Sequence, residues 1–217
     1  MAKKNLKRGI FITFEGPEGC GKSTHSRLLR GFLKKSGYSC VLTREPGGTK
    51  LGEEIRQILL HSKGVEISSL AELFLFEAAR SQLIAELICP SLVNDKIVIC
   101  DRFTDATLCY QGYAGGVDLR SVKTINYAAT NGMKPDLTIL LDVDTATGLS
   151  RAKAKGIDRM ETKEFAYHEE VRSGYLKLAK IYPERIKVIR VEGSVKDTQE
   201  RVRQEAECVI QKYKRPK

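Results

Sequence analysis

Gly16-Pro17-Glu18-Gly19-Cys20-Gly21-Lys22-Ser23 fits the phosphate-loop spacing G-x-x-x-x-G-K-[ST]. The apolar run Ile10-Phe11-Ile12-Thr13-Phe14 precedes it, and a helix-like run from Ser23 to Lys35 follows. Strand, glycine-rich turn and helix are the context that gives the motif its meaning. The three glycines let the backbone wrap an anion without Cβ clashes. The loop N–H groups then converge on the anion, and the helix N-terminus adds partial positive charge. Lys22 is expected on the β/γ-phosphates of a nucleoside triphosphate and the Ser23 hydroxyl on Mg²⁺. What is done with the triphosphate does not follow from the loop.

Working outward, strands are expected at 9–14, 39–43, 96–100, 137–143 and 185–191. Amphipathic helices are expected at 22–35, 51–61, 70–93, 119–129, 146–155, 166–181 and 195–212. Short apolar strands alternating with helices predict an α/β fold with a buried parallel sheet. No repeat or linker divides the 217 residues, a length that suits one domain. The 70–93 helix is apolar nearly all round, which predicts burial on more than one side, in the core or at a subunit interface.

The net charge is +10 and the pI about 9.3. The basic residues are dispersed apart from clusters at 3–8 and 212–217, and neither cluster is interleaved with a stacking platform. This favours an enzyme handling several phosphates over a nucleic-acid surface. No apolar run approaches a membrane span. The six cysteines are scattered with no C-x-x-C pair, which suits a reducing cytoplasm and argues against a zinc ribbon.

Further motifs fall at strand ends, where ligands bind parallel sheets. Thr43-Arg44-Glu45-Pro46-Gly47-Gly48-Thr49 is a sharp turn that brings Arg44 and Glu45 to the crevice. Asp101 closes an apolar strand in the arrangement that orders Mg²⁺, and the guanidinium of Arg102 can clamp a phosphate. Phe76 and Arg80 lie four apart on one helix face, placed to stack on a base or simply to pack. Arg151, Lys153, Lys155 and Arg159 surround Gly156 in a segment, about 151–163, that reads as a basic flap or a solvated helix end. A guanine-reading [NT]-K-x-D element is absent: Thr49-Lys50 and Thr162-Lys163 are followed by other residues.

Together, Phe14-Glu15-Gly16 opening the loop, T-R-E-P-G-G-T at 43–49, Asp101-Arg102-Phe103 with Tyr110-Gln111-Gly112, and the basic flap closely resemble the thymidylate kinases. The resemblance runs from about residue 11 to about residue 180. It implies a phosphate-loop nucleoside monophosphate kinase fold with a five-stranded parallel sheet. It also implies transfer of the ATP γ-phosphoryl group to dTMP with Mg²⁺, and a homodimer built on the 70–93 helix. The implied ATP contacts are Gly16, Pro17, Glu18, Gly19, Cys20, Gly21, Lys22, Ser23, Thr24 and Arg151; the metal ligands are Ser23 and Asp101. The implied dTMP contacts are Glu18, Arg44, Arg56, Phe76, Arg80, Arg102, Thr107, Tyr110 and Gln111. Lys22, Arg102, Lys153 and Lys155 are the implied catalytic cations. Two departures stand out: Ala106 replaces a frequent serine, and the flap carries lysines where bacterial-type relatives carry arginines. Lysine offers a point charge and not a fork.

Overall fold

The computed structural model describes residues 6–62, 64–154, 159–160, 162–214. Strand β1 (Ile10–Glu15) runs into the phosphate loop and α1 (Lys22–Lys35), followed by β2 (Cys40–Arg44) and α2 (Lys50–His61). Next come α3 (Ser69–Leu83), a π-helical turn (Ile84–Ile88), α4 (Cys89–Val93) and β3 (Ile97–Asp101). A short α5 (Thr104–Thr107) continues as a second π-helical segment (Leu108–Ala114), then α6 (Leu119–Thr130) and β4 (Leu137–Asp142). The chain closes with α7 (Thr145–Lys153), α8 (Phe165–Ile181), β5 (Ile186–Arg190) and α9 (Val195–Lys212).

The five strands form one parallel sheet in the order β2-β3-β1-β4-β5. β1 is wholly buried. Its residues alternate between faces: Ile10, Ile12 and Phe14 join α1 and α9, whereas Phe11 packs edge-on against Phe103 on the other side. Each fully buried side chain of this kind contributes about 1.5–3 kcal/mol. The opposite face is covered by α2, α3, α6 and α8. Register aligns Phe14 and Arg44 with Asp101, so the loop after β1 and the ends of β2 and β3 share one edge.

The expected strands and helices recur with ends shifted by a residue or two. Two differences have physical causes. The 70–93 helix is not continuous: it widens to a π turn at Ile84–Ile88 before Pro90, whose missing N–H cannot complete an α-helical ladder. The helical stretch 104–114 was not expected as a helix; its Gly112 and the polar residues facing inward mask the 3.6-residue periodicity.

Candidate active site

The phosphate loop is held open by its glycines. Gly16 and Gly19 adopt φ of 136° and 64°, and a Cβ on them would lie 2.2 Å from the Leu141 carbonyl and 2.0 Å from the Gly148 carbonyl. The loop therefore nests against β4 and α7 in a way no other residue permits. The Lys22 ammonium lies across it, donating to the carbonyls of Gly16 (3.0 Å) and Pro17 (2.8 Å). Thr24 follows in the first turn of α1, exposed. Cys20 is buried, and burial pushes its thiol up, so it packs and does not react.

Ser23 Oγ donates to Asp101 Oδ2 at 2.5 Å. Two hard oxygen ligands side by side at the mouth of an anion cradle fit Mg²⁺, which takes the rest of its octahedron from phosphate and water. Among the described residues no group of three or more His, Cys, Asp or Glu is placed to hold a metal ion.

Beside the loop lies a cavity of about 250 Å³ that gathers Glu18, Arg44, Arg56, Phe76, Arg80, Arg102, Thr107, Tyr110 and Gln111. All nine residues expected to contact an acceptor nucleotide thus line one space that also touches Lys22, Ser23 and Asp101. Ala106 lines it too, with no polar group to offer. Phe76 and Arg80 share the cavity wall, but Arg80 is not a snorkelling side chain. It is 1% exposed. Its Nε donates to Glu45 at 2.7 Å, and Nη1 donates to Glu77, to Thr107 at 2.8 Å and to Asn126 at 2.9 Å. Burial pushes the Glu45 carboxyl up to about 7 although Arg80 opposes the shift.

Arg102 sits just past β3 with a φ of 74°, a left-handed conformation that costs a non-glycine residue about 1–3 kcal/mol and marks a site where placement matters. Its backbone N–H donates to Phe14, and the next N–H, of Phe103, donates to the buried Glu15 at 2.7 Å. The guanidinium donates to the Tyr110 and Tyr175 hydroxyls at 2.8 and 3.1 Å. Tyr175 in turn donates to Glu15 at 2.8 Å. Burial, with Asp105 nearby, pushes the Glu15 carboxyl up to about 8. Arg102 is therefore aimed by both its backbone and its side-chain partners.

Glu18 turns its side chain into the cavity, where its carboxylate meets the Tyr110 hydroxyl, Arg102 (3.5 Å) and His168 (3.2 Å). Burial pushes this carboxyl up, but the His168 hydrogen bond and the charges of Arg102 and Lys22 outweigh it and hold it at about 2. Arg44 pairs with Glu53 at 3.0 Å, and Arg56 donates to the Pro46 carbonyl at 2.9 Å. Gln111 donates to Glu72 at 3.1 Å.

Of the expected flap cations, Arg151 and Lys153 lie exposed on α7, and Arg151 Cβ would be 3.1 Å from a Cβ on Gly19, beside the phosphate loop. Lys155, Gly156, Ile157 and Asp158 lie outside the described residues. Arg159 is committed elsewhere: it pairs with Glu72 at 2.7 Å and donates to the Leu59 carbonyl. Sequence reasoning missed Glu15, Glu77, His168 and Tyr175. Glu15 and Glu77 carry a signal, a charge set in an otherwise apolar segment; His168 and Tyr175 carry none without knowledge of which face of α8 turns inward.

The profile described as "Thymidylate kinase" matches residues 14–202. A thymidylate kinase of Dehalococcoides mccartyi is 52% identical over 176 residues, covering 81% of this chain and 85% of its own. One from a Roseiflexus species is 42% identical over 206 residues, covering 89% and 91%. The crystal structure of thymidylate kinase from Ehrlichia chaffeensis superposes with a TM-score of 0.73 at 37% identity, over 90% of this chain and 97% of that one. The five-stranded parallel sheet and the phosphate loop agree with this likeness, and the chain belongs to the thymidylate kinase family, enzymes of the nucleoside monophosphate kinase class.

Proposed function

We propose that the enzyme, a single catalytic domain, transfers the γ-phosphoryl group of ATP to dTMP, yielding dTDP and ADP, in the cytoplasm. The observation that carries this reading is one cavity in which the phosphate-loop residues Glu18, Gly19, Lys22 and Ser23 meet Phe76, Arg80, Thr107, Tyr110 and Gln111. Residues 16–24, with Arg151, hold ATP; Arg44, Arg56 and Arg102 hold the acceptor phosphate in line. Phe76 stacks on the thymine, and Arg80, Thr107 and Gln111 read its edge. Glu18 faces the sugar.

Ser23 and Asp101 would hold Mg²⁺, which would supply positive charge to offset that of the phosphates. Lys22 donates to the oxygens of the transferring group, replacing the loop carbonyls it now touches. Lys153 and Lys155 bring further positive charge over the phosphates from the flap. Charge stabilisation and alignment are what phosphoryl transfer needs. No general base is required, because a phosphate monoester with a second pKa of about 6 already presents an ionised oxygen at neutral pH.

Leu70 and Phe74 on α3 are 47% and 54% exposed, and α2, which packs against α3, exposes Leu51 and Ile58. This apolar face supports pairing with a second copy of the chain. No helix among the described residues is long and apolar enough to cross a membrane.

Coupled ADP-release measurements with dTMP, dUMP, AMP and GMP test the substrate. dTMP is expected to give the highest kcat/KM by a clear margin; a preference for any other acceptor would replace the substrate assignment.

A further inference from the structure

Glu18 is an acidic side chain inside an anion-binding loop, and its two oxygens are held differently. Oε1 accepts from the Tyr110 hydroxyl and lies 3.5 Å from Arg102, on the side of the phosphate-binding cations. Oε2 lies 3.2 Å from Nδ1 of His168, a wholly buried residue in the first turn of α8. An ionised carboxylate can only accept, so Nδ1 carries the proton and donates. His168 Nε2 is buried with no hydrogen-bond partner among the described residues. A side chain serving only to fill space would not strand a polar nitrogen in the interior, where an unpaired group costs about 1–3 kcal/mol. The ring is fixed instead by its one polar contact and by an edge-on contact with Tyr167.

The geometry points to His168 as a positioning residue for Glu18: its Nδ1–H anchors Oε2, so that only Oε1 stays beside Arg102 and the carboxylate keeps one oxygen free of the phosphate-binding cations, toward the acceptor sugar. Without that anchor Oε2 is free to turn onto Arg102 and Lys22 as well, and the carboxylate competes with phosphate for them. Each carboxylate oxygen has more than one lone-pair direction, so the anchored group still accepts a hydroxyl from the acceptor. This role rests on the reading that Glu18 faces the acceptor.

The test compares His168→Phe, which keeps the ring and loses the donor, with His168→Asn, whose amide nitrogen approximates the place of Nδ1. His168→Phe is expected to raise the dTMP KM about tenfold, the loss of one charge-assisted hydrogen bond, with the ATP KM within about twofold of the parent. His168→Asn should recover most of the dTMP affinity. In a Glu18→Ala background, His168→Phe should add nothing further. Equal losses in both variants, parallel rises in both KM values, or an additive effect in that background would overturn the proposal. ¹⁵N NMR of the unmodified enzyme gives a readout that needs no variant to fold: His168 should show the Nδ1–H tautomer, and the Nε2–H tautomer would overturn the anchor. Failure to phosphorylate dTMP at all would remove the functional reading, while the tautomer would still decide the hydrogen bond.

Discussion

Replacing Arg80 with alanine should unsettle the protein before it reports on substrate recognition. Arg80 is buried between Glu45 and Glu77, and Glu45 Oε1 and Glu77 Oε2 have no hydrogen-bond partner among the described residues. The guanidinium is the positive member of a triad with two carboxylates, and its removal leaves both facing each other in the interior. Breaking a buried ion pair from one side typically costs about 3–5 kcal/mol. For a domain of this size each kcal/mol lowers Tm by about 2–4 °C, so Arg80→Ala should melt about 6–20 °C below the parent. The triple change Arg80→Met, Glu45→Gln, Glu77→Gln removes the charges together and should recover much of that loss, because the cost lies in the uncompensated carboxylates. Differential scanning calorimetry at neutral pH, with and without dTMP, separates the two roles of Arg80. The parent should gain about 2.7 kcal/mol at a dTMP concentration a hundred times its Kd, and both variants should gain much less. A Tm within about 2 °C of the parent for Arg80→Ala would refute the triad reasoning, given the size scaling used. An undiminished gain from dTMP would refute the base-reading role.

Other outcomes follow from the same geometry. Lys22→Ala should lower kcat at least about 10²-fold, as loss of one preorganised donor does, with an unchanged far-ultraviolet circular dichroism spectrum; a small loss would move the transferring phosphoryl away from this ammonium. Glu15 is held at about 8 against an ordinary 4.5, so the parent pays for keeping it buried as pH rises from about 4.5 to about 8, and stability falls across that window. Glu15→Gln lacks this slope and should gain on the parent by a few kcal/mol, in order of magnitude, between pH 5 and 9 in urea melts; a constant difference would contradict the shift. Phe74→Asp should convert a dimer to monomers in sedimentation velocity, and an unchanged sedimentation coefficient would exclude this face as the subunit contact.

The phosphate loop and the strand-end charges were legible in the sequence because their chemistry is local. Glycines at 16, 19 and 21 encode backbone conformations directly, and Asp101 and Arg102 need only terminate a strand to share an edge with the loop. Arg80 was legible as a cavity residue but not as an ion-pair centre: its partners Glu45 and Glu77 lie on β2's exit and on its own helix, and only packing decides that all three are buried. The 104–114 segment was missed because its buried residues mix apolar Ala106, Leu108, Cys109 and Tyr110 with polar Asp105, Thr107 and Gln111, and hydrophobic periodicity is blurred in a helix that is buried nearly all round. Arg159 shows the opposite error. It reads as one more flap cation, yet Glu72, 87 residues away on α3, claims it. Long-range pairing of this kind leaves no mark in spacing.

The destination of the γ-phosphoryl group defines the proposed reaction. Incubating the enzyme with γ-³²P-labelled ATP, Mg²⁺ and dTMP, and separating the nucleotides, reads this directly. The label should appear in dTDP, in step with ADP formation and only when dTMP is present. Label recovered as inorganic phosphate, at a rate indifferent to dTMP, would make the enzyme a hydrolase and rule out transfer to dTMP.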